Sequence, residues 1–200
     1  MFKFDEEALL QSLLASTLQQ QAAFALAAAT RQLTSFERVA RLQGWPFSNE
    51  PRSITVDLWN VATTKLHVDA TKWRSTLEDI FSWIPTEDDE SWNIQFAFVQ
   101  DCLYSLCYCV RLILSGDPQE AVWAAKSAYE AADQAAIRVL HVDISRPEVE
   151  HEILAHGIVQ RELKRQNDAV LRIQANELTI LRDESFAQEH LTDVEAASVN

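Results

Sequence analysis

Residues 96–123, "FAFVQDCLYSLCYCVRLILSGDPQEAVW", decide the fold class of this chain. Residues 96–114 carry an apolar arc at helical spacing, which predicts an amphipathic helix near the centre of a bundle. Gly116 can end that helix in the left-handed conformation, and Asp117, followed by Pro118, is a typical N-cap for a second helix. The stretch therefore predicts two antiparallel helices joined by a tight turn.

The composition extends this prediction to the whole chain. Of 200 residues, 48% are hydrophobic and 24% are charged, which suits one globular domain with a sizeable core. Three glycines and five prolines leave few tight turns for a sheet. We predict an all-α, single-domain bundle of about seven helices with long antiparallel C-terminal helices. The domain is expected to cover residues 1–185, followed by an acidic tail, residues 186–200, that can fray.

Helix signals place the individual elements. Thr34, with Glu37 three residues later, predicts a capping box for a short helix that ends at Gly44. Ser145 and Glu148 predict a second capping box. The helix that follows it is expected to be long, because no glycine or proline occurs from Ile158 to beyond Leu181. The expected helices lie near 5–31, 35–43, 50–66, 69–83, 88–115, 118–142 and 147–182.

The charge and the apolar stretches exclude several classes of partner. A formal charge of −13 repels nucleic acid and anionic lipid, so neither nucleic acid nor a membrane is expected as a partner. Residues 8–30 follow Asp5, Glu6 and Glu7, whereas a signal peptide needs a basic leader. Residues 96–114 contain Asp101 and Arg111, which disfavours a transmembrane helix. With three thiols and no export signal, a cytoplasmic protein is expected.

The three cysteines lie within residues 102–109 but do not form a metal-site pattern. On a helical wheel Cys102 and Cys109 fall together, at about 100° and 80° from Asp101, whereas Cys107 lies near 240°. Sulfurs on opposite faces of a helix cannot share one zinc ion. We interpret the cysteines as core packing residues.

The polar side of the same helix is the main candidate site, a binding groove or interface. Its residues share one arc of the wheel: Gln100, Asp101, Tyr104, Ser105, Tyr108 and Arg111. One alternative is that this arc faces water. The other is that it is partly covered, in which case a buried Asp101 needs a basic partner such as Arg138, or a residue of a second subunit.

A metal site is the weaker alternative. Its candidate ligands are carboxylates and one histidine: Asp88, Asp89, Asp101, Glu148 and His151. "HEILAH" places His151 and His156 five residues apart, whereas the zinc-protease motif needs four. No catalytic motif is present, so no catalytic residue and no cofactor is predicted, and "RELKR" (residues 161–165) is interpreted first as an exposed face.

Three segments and one aspartate carry a resemblance to a known family. These are "IPTEDDESW" (84–92), Asp101, "LSGDPQEAV" (114–122) and "EILAHGIVQRELKRQNDAVLRI" (152–173). Over most of residues 5–185 the chain resembles the YjaG-like family of uncharacterised bacterial proteins. The resemblance implies an all-helical cytosolic bacterial protein with no established activity, and it matches Asp88, Asp89 and Asp101 to aspartates of that family.

Two functions remain open from the sequence. The favoured one is a non-catalytic interaction or regulatory module that binds a protein partner or self-associates, because the chain offers helical faces without catalytic machinery. The alternative is a protein that binds a divalent metal or a small cationic ligand through carboxylates. A helical hydrolase that uses such a metal is a third, less favoured possibility.

Overall fold

The chain folds into an all-α bundle, as predicted. The computed structural model describes residues 1–64, 68–86, 88, 92–93, 95–142 and 148–198, and within these residues it contains ten helices and no strand. The helices are α1 (Glu6–Leu14), α2 (Leu18–Gln43), α3 (Glu50–Thr64), α4 (Ala70–Trp83), α5 (Gln95–Ser115), α6 (Pro118–Leu140), α7 (Val149–Ala155), α8 (Gly157–Gln174), α9 (Leu178–Ala187) and α10 (Asp193–Ser198). The number exceeds the predicted seven because two long predicted helices are interrupted.

Helix α5 lies at the centre of the bundle, where it contacts α2, α3, α4 and α6. Val99, Leu103 and Val110 on its apolar arc are fully buried. Among the described helices, α5 is the one long and apolar enough to cross a membrane, and 67% of its apolar window is buried inside the bundle. Because this apolar arc is buried, the polar side of α5 is the one left to form a functional surface.

The turn between α5 and α6 has the predicted construction. Gly116 adopts a left-handed conformation with φ 72°, which suits glycine because it has no Cβ. The Asp117 side chain then accepts a hydrogen bond of 3.0 Å from the backbone N–H of Gln119. The two helices consequently run antiparallel and in contact.

The N-terminal half differs from the predicted division at two places. The predicted helix 5–31 is interrupted between α1 and α2, where Thr17 and Gln20 form the capping box that starts α2. Helix α2 then continues through Thr34 to Gln43, so the prediction of an N-cap at Thr34 is wrong. The predicted stop at Gly44 is confirmed, with φ 67°.

The predicted C-terminal helix 147–182 is divided into α7, α8 and α9. His156 has extended backbone and caps α8, its Nδ1 accepting from the N–H of Ile158 at 3.4 Å. Asn176 adopts φ 59° and ends the next segment, because asparagine tolerates the left-handed region better than most residues. The predicted cap Ser145 lies outside the described residues. Helix α8 packs against α6, and Gln166 Nε2 donates to the Ala125 carbonyl at 2.9 Å.

The end of the chain packs against the bundle where the sequence suggested a tail that can fray. His190 and Leu191 are buried, and α10 contacts α6. Arg161 on α8 forms an ion pair of 2.6 Å with Glu195. Glu195 of this segment therefore serves as the partner of an arginine of α8.

Candidate functional site

The antiparallel pairing of α5 and α6 brings the candidate polar arc of α5 against residues of α6. Ser105 Oγ donates to the Ala124 carbonyl at 3.0 Å and is fully buried. Nearer the turn, Arg111 forms an ion pair of 2.7 Å with Glu120. These contacts define a surface that both helices build, called here the α5–α6 face: Asp101, Tyr104, Ser105, Tyr108, Arg111, Glu120, Trp123 and Glu130.

The exposed part of the α5–α6 face is aromatic and cationic. Tyr108 packs on Trp123 with ring centroids 5.7 Å apart. The Arg111 guanidinium lies 5.7 Å from the Tyr108 ring and 5.8 Å from the Trp123 ring, a cation–π geometry. Tyr104, one turn away on α5, is 37% exposed. The ion pair with Glu120 holds Arg111 in place, so this part of the surface is ordered before any partner arrives.

The buried part of the face contains a carboxyl group that has no basic partner among the residues the structure describes. Asp101 is 9% exposed, and its Oδ2 has no hydrogen-bond partner among the described residues. Burial, with a smaller contribution from the Glu130 carboxylate, raises the pKa of Asp101 to about 8. No ion pair between Asp101 and Arg138 is present among the described residues, and a partner from a second subunit stays a prediction. The raised pKa of Asp101 favours the protonated carboxyl near neutral pH.

Carboxylates border the face on the α6 side. Burial raises the pKa of Glu130, Asp133 and Glu6 raise it further, and Lys126 lowers it. The pKa of Asp133 is also raised, by burial and by Glu150. Burial is the largest cause of both shifts, and the neighbouring carboxylates add to it.

Gln100 belongs to a different surface from the rest of the predicted groove. Its Nε2 donates to the Pro85 carbonyl at 2.7 Å, which ties α5 to the segment after α4. Five of the six predicted groove residues therefore lie in the α5–α6 face. Gln100 instead forms a hydrogen bond that joins two parts of the fold.

The residues of the predicted metal alternative do not assemble where the structure describes them. No group of three His, Cys, Asp or Glu side chains among the described residues is placed to hold a metal ion. Asp88 is exposed, and Glu148 and His151 are exposed around the start of α7, whereas Asp101 is buried in the α5–α6 face. Asp89 lies outside the described residues.

The cysteines lie in the core, as the helical wheel predicted. Cys102, Cys107 and Cys109 are free thiols with 1% exposure each. Burial raises the pKa of Cys107 to about 12 and raises those of the other two as well. Protonated thiols at neutral pH are weak nucleophiles and weak metal ligands.

A buried ion pair between α2 and α8 was not foreseen from the sequence. Arg31 Nη2 lies 2.6 Å from Glu162 Oε1, and its Nε donates to Oε2 at 3.2 Å. Gln166 donates to the same carboxylate at 3.0 Å, and His190 Nδ1 lies 3.8 Å from Oε2. The interpretation of residues 161–165 as an exposed face was wrong for Glu162, which is 1% exposed.

The sequence did contain a signal for this pair. Arg31 is the sole charged residue between Glu7 and Glu37, and it follows the alanine-rich run of residues 22–29. Burial raises the pKa of Glu162, but the charge and hydrogen bonds of Arg31, aided by His190, outweigh burial and leave the pKa well below its usual range. Glu162 is therefore ionised and paired, in contrast to Asp101.

Comparison with known proteins defines the fold more closely than the function. The overall fold is similar to that of a solved structure. The crystal structure of a DUF416 family protein from Shewanella baltica OS155 superposes with a TM-score of 0.76 and 17% sequence identity, over 89% of this chain and 93% of that chain. The structural neighbour thus comes from a family of unknown function. No family model matches this chain. No curated protein sequence matches it either.

Proposed function

We propose that the protein is a non-catalytic interaction module of the bacterial cytosol, related to the YjaG-like family, whose α5–α6 face binds a basic amphipathic segment of a partner protein. The observation that carries this proposal is the cluster of Tyr104, Tyr108, Trp123 and Arg111 on one accessible surface. Tyrosine, tryptophan and arginine are the residue types that contribute most to protein–protein binding.

The charge around the cluster supports a basic partner. The chain carries −13 overall, and the carboxyl groups of Glu130 and Asp133 border the face on the α6 side. Lysine or arginine side chains of a partner would complement that negative charge. The aromatic side chains would contact the apolar side of the same segment, with the partner's cations placed over the Tyr104 or Tyr108 rings.

The first experiment compares two peptides by isothermal titration calorimetry. One has leucine and lysine at helical spacing, and the other has glutamate in place of each lysine. We expect the lysine peptide to bind and the Tyr104→Ala variant to bind it about fivefold or more weakly, as for a central interface residue. Leu42→Ala is the matched control because Leu42 is 70% exposed on α2 and is not a residue of the α5–α6 face.

Two results of the calorimetric titrations would contradict the proposal. One is equal affinity for the lysine and glutamate peptides, and the other is unchanged affinity in Tyr104→Ala. Native mass spectrometry of protein purified without added metal reports stoichiometry and bound species together. A dimer that Tyr104→Ala dissociates would make a second copy the occupant of the face, which also contradicts a basic partner.

Proton release gives an independent readout. A positive partner lowers the raised pKa of Glu130, so binding at a pH where this carboxyl is partly protonated releases protons. The measured binding enthalpy should then depend on the ionisation enthalpy of the buffer. The Glu130→Gln variant should lose part of that dependence.

A further inference from the structure

A polar cavity between α8 and α9 lies outside the α5–α6 face and shares no residue with it. Its volume is about 560 Å³, and Arg31 of α2 lies among the lining residues with Arg165 and Arg172 of α8 and Glu184 of α9. This volume falls in the range of about 300–1,000 Å³ that is typical of sites for small ligands. Three arginines therefore line one cavity of a protein whose formal charge is −13.

Most charges that line the cavity are matched within the protein. Arg172 binds two carboxylates, Glu177 at 2.5 Å and Glu184 at 2.7 Å. Asp168 is paired with Lys164 at 2.6 Å. The third cation, Arg31, is held by Glu162 in the buried ion pair.

Arg165 differs from these residues because no carboxylate is paired with it in the described part of the chain. Its Nη1 donates to the backbone carbonyl of Glu189 at 2.9 Å. A guanidinium has five N–H donors, so most of this donor set remains available. Burial lowers the pKa of Arg165, Glu162 opposes this effect, and the charges of Arg31 and Arg161 add to it. An anion beside a half-buried guanidinium favours the charged form of the guanidinium.

We propose that the α8–α9 cavity binds a small organic anion through a carboxylate or phosphate group held by the Arg165 guanidinium. The planar fork of arginine fits both groups in a bidentate manner. The opposite wall fits hydroxyl or amino groups of the ligand, because Glu177 and Glu184 share one arginine and keep oxygens that can accept hydrogen bonds. The ligand class is therefore a hydroxylated or aminated organic acid or phosphate.

The test is an NMR titration of the full-length chain with inorganic phosphate and, separately, with succinate. Chloride replaces the probe at constant ionic strength in the reference samples. We expect saturable amide shifts centred on α8 and α9, with phosphate or succinate identifying which anionic group the site prefers. Absence of saturable shifts with both probes would overturn the proposal.

Variants of the adjacent residues Arg165 and Lys164 distinguish a specific binding site from a general effect of charge. Arg165→Gln should weaken binding about tenfold or more, the usual effect of losing a charge-assisted hydrogen bond. Lys164→Gln removes the same charge from an exposed neighbour, whose side chain is 61% exposed, and should weaken binding much less than Arg165→Gln. Arg165→Lys keeps the charge without the fork and should bind with intermediate affinity. Equal weakening in Lys164→Gln and Arg165→Gln would refute a specific site.

Discussion

Replacement of Asp101 by asparagine tests the central electrostatic statement about the α5–α6 face. The carboxyl has a pKa of about 8 in the folded protein, against about 3.9 in an unfolded chain. Because the folded state binds this proton more tightly, the contribution of Asp101 to stability is fully present below about pH 4 and is lost as the pH rises towards 8. Between pH 6 and pH 8 the loss amounts to about 2 kcal/mol.

Asparagine keeps the shape of the side chain and has no proton to lose. We therefore expect Asp101→Asn to change the free energy of unfolding by less than about 1 kcal/mol at pH 5 and to stabilise the protein relative to wild type at pH 8. Urea unfolding at pH 5, 6, 7 and 8 measures this difference.

Asp79→Asn is the control, because Asp79 is an exposed aspartate on α4 that undergoes the same chemical change. The reasoning fails if Asp101→Asn and wild type lose stability in parallel from pH 6 to pH 8. It also fails if asparagine is as destabilising at pH 8 as at pH 5.

Three further predictions concern stability. Asp117→Ala should cost about 0.5–2 kcal/mol in thermal unfolding because the start of α6 loses its cap, and an unchanged melting temperature would refute that role. Cys102→Ala should cost about 1 kcal/mol and leave metal content unchanged, so loss of stoichiometric zinc would show that the thiol is a ligand. Glu162→Gln should cost about 3–5 kcal/mol in urea unfolding by stranding Arg31, and a cost as small as that of Lys164→Gln would contradict a buried pair.

Local signals in the sequence predicted the α5–α6 hairpin but not every helix boundary. At the turn, Gly116 and Asp117 act through their own backbone and side chain, so no distant residue is needed. Thr17 and Thr34 both precede a suitable capping partner, and the sequence cannot rank them. The structure selects Thr17, where the Gln20 side chain also donates to the Ile173 carbonyl of α8 at 2.6 Å, a contact between distant parts of the chain.

The same distinction applies to the candidate surface. Helical spacing placed Tyr104, Tyr108 and Arg111 on one side of α5, because that relation depends on a single helix. Trp123 and Glu120 complete the surface from α6, and their contribution depends on how the two helices align. The partner of a buried charge is harder still to predict, since Arg31 and Glu162 are 131 residues apart in the chain.

Asp101 and Glu162 show that burial alone does not decide the ionisation of a carboxyl group. Burial raises the pKa of both, but Arg31 leaves the pKa of Glu162 lowered while Asp101 has no base beside it. The contribution of Glu162 to stability is present above about pH 4.3 and is lost as the pH falls further, whereas that of Asp101 is lost as the pH rises towards 8. The raised pKa values of Glu130 and Asp133 act in the same direction as Asp101. We therefore expect maximal stability at acidic pH, near about pH 4, and Asp101→Asn should move the maximum measured by urea unfolding to higher pH.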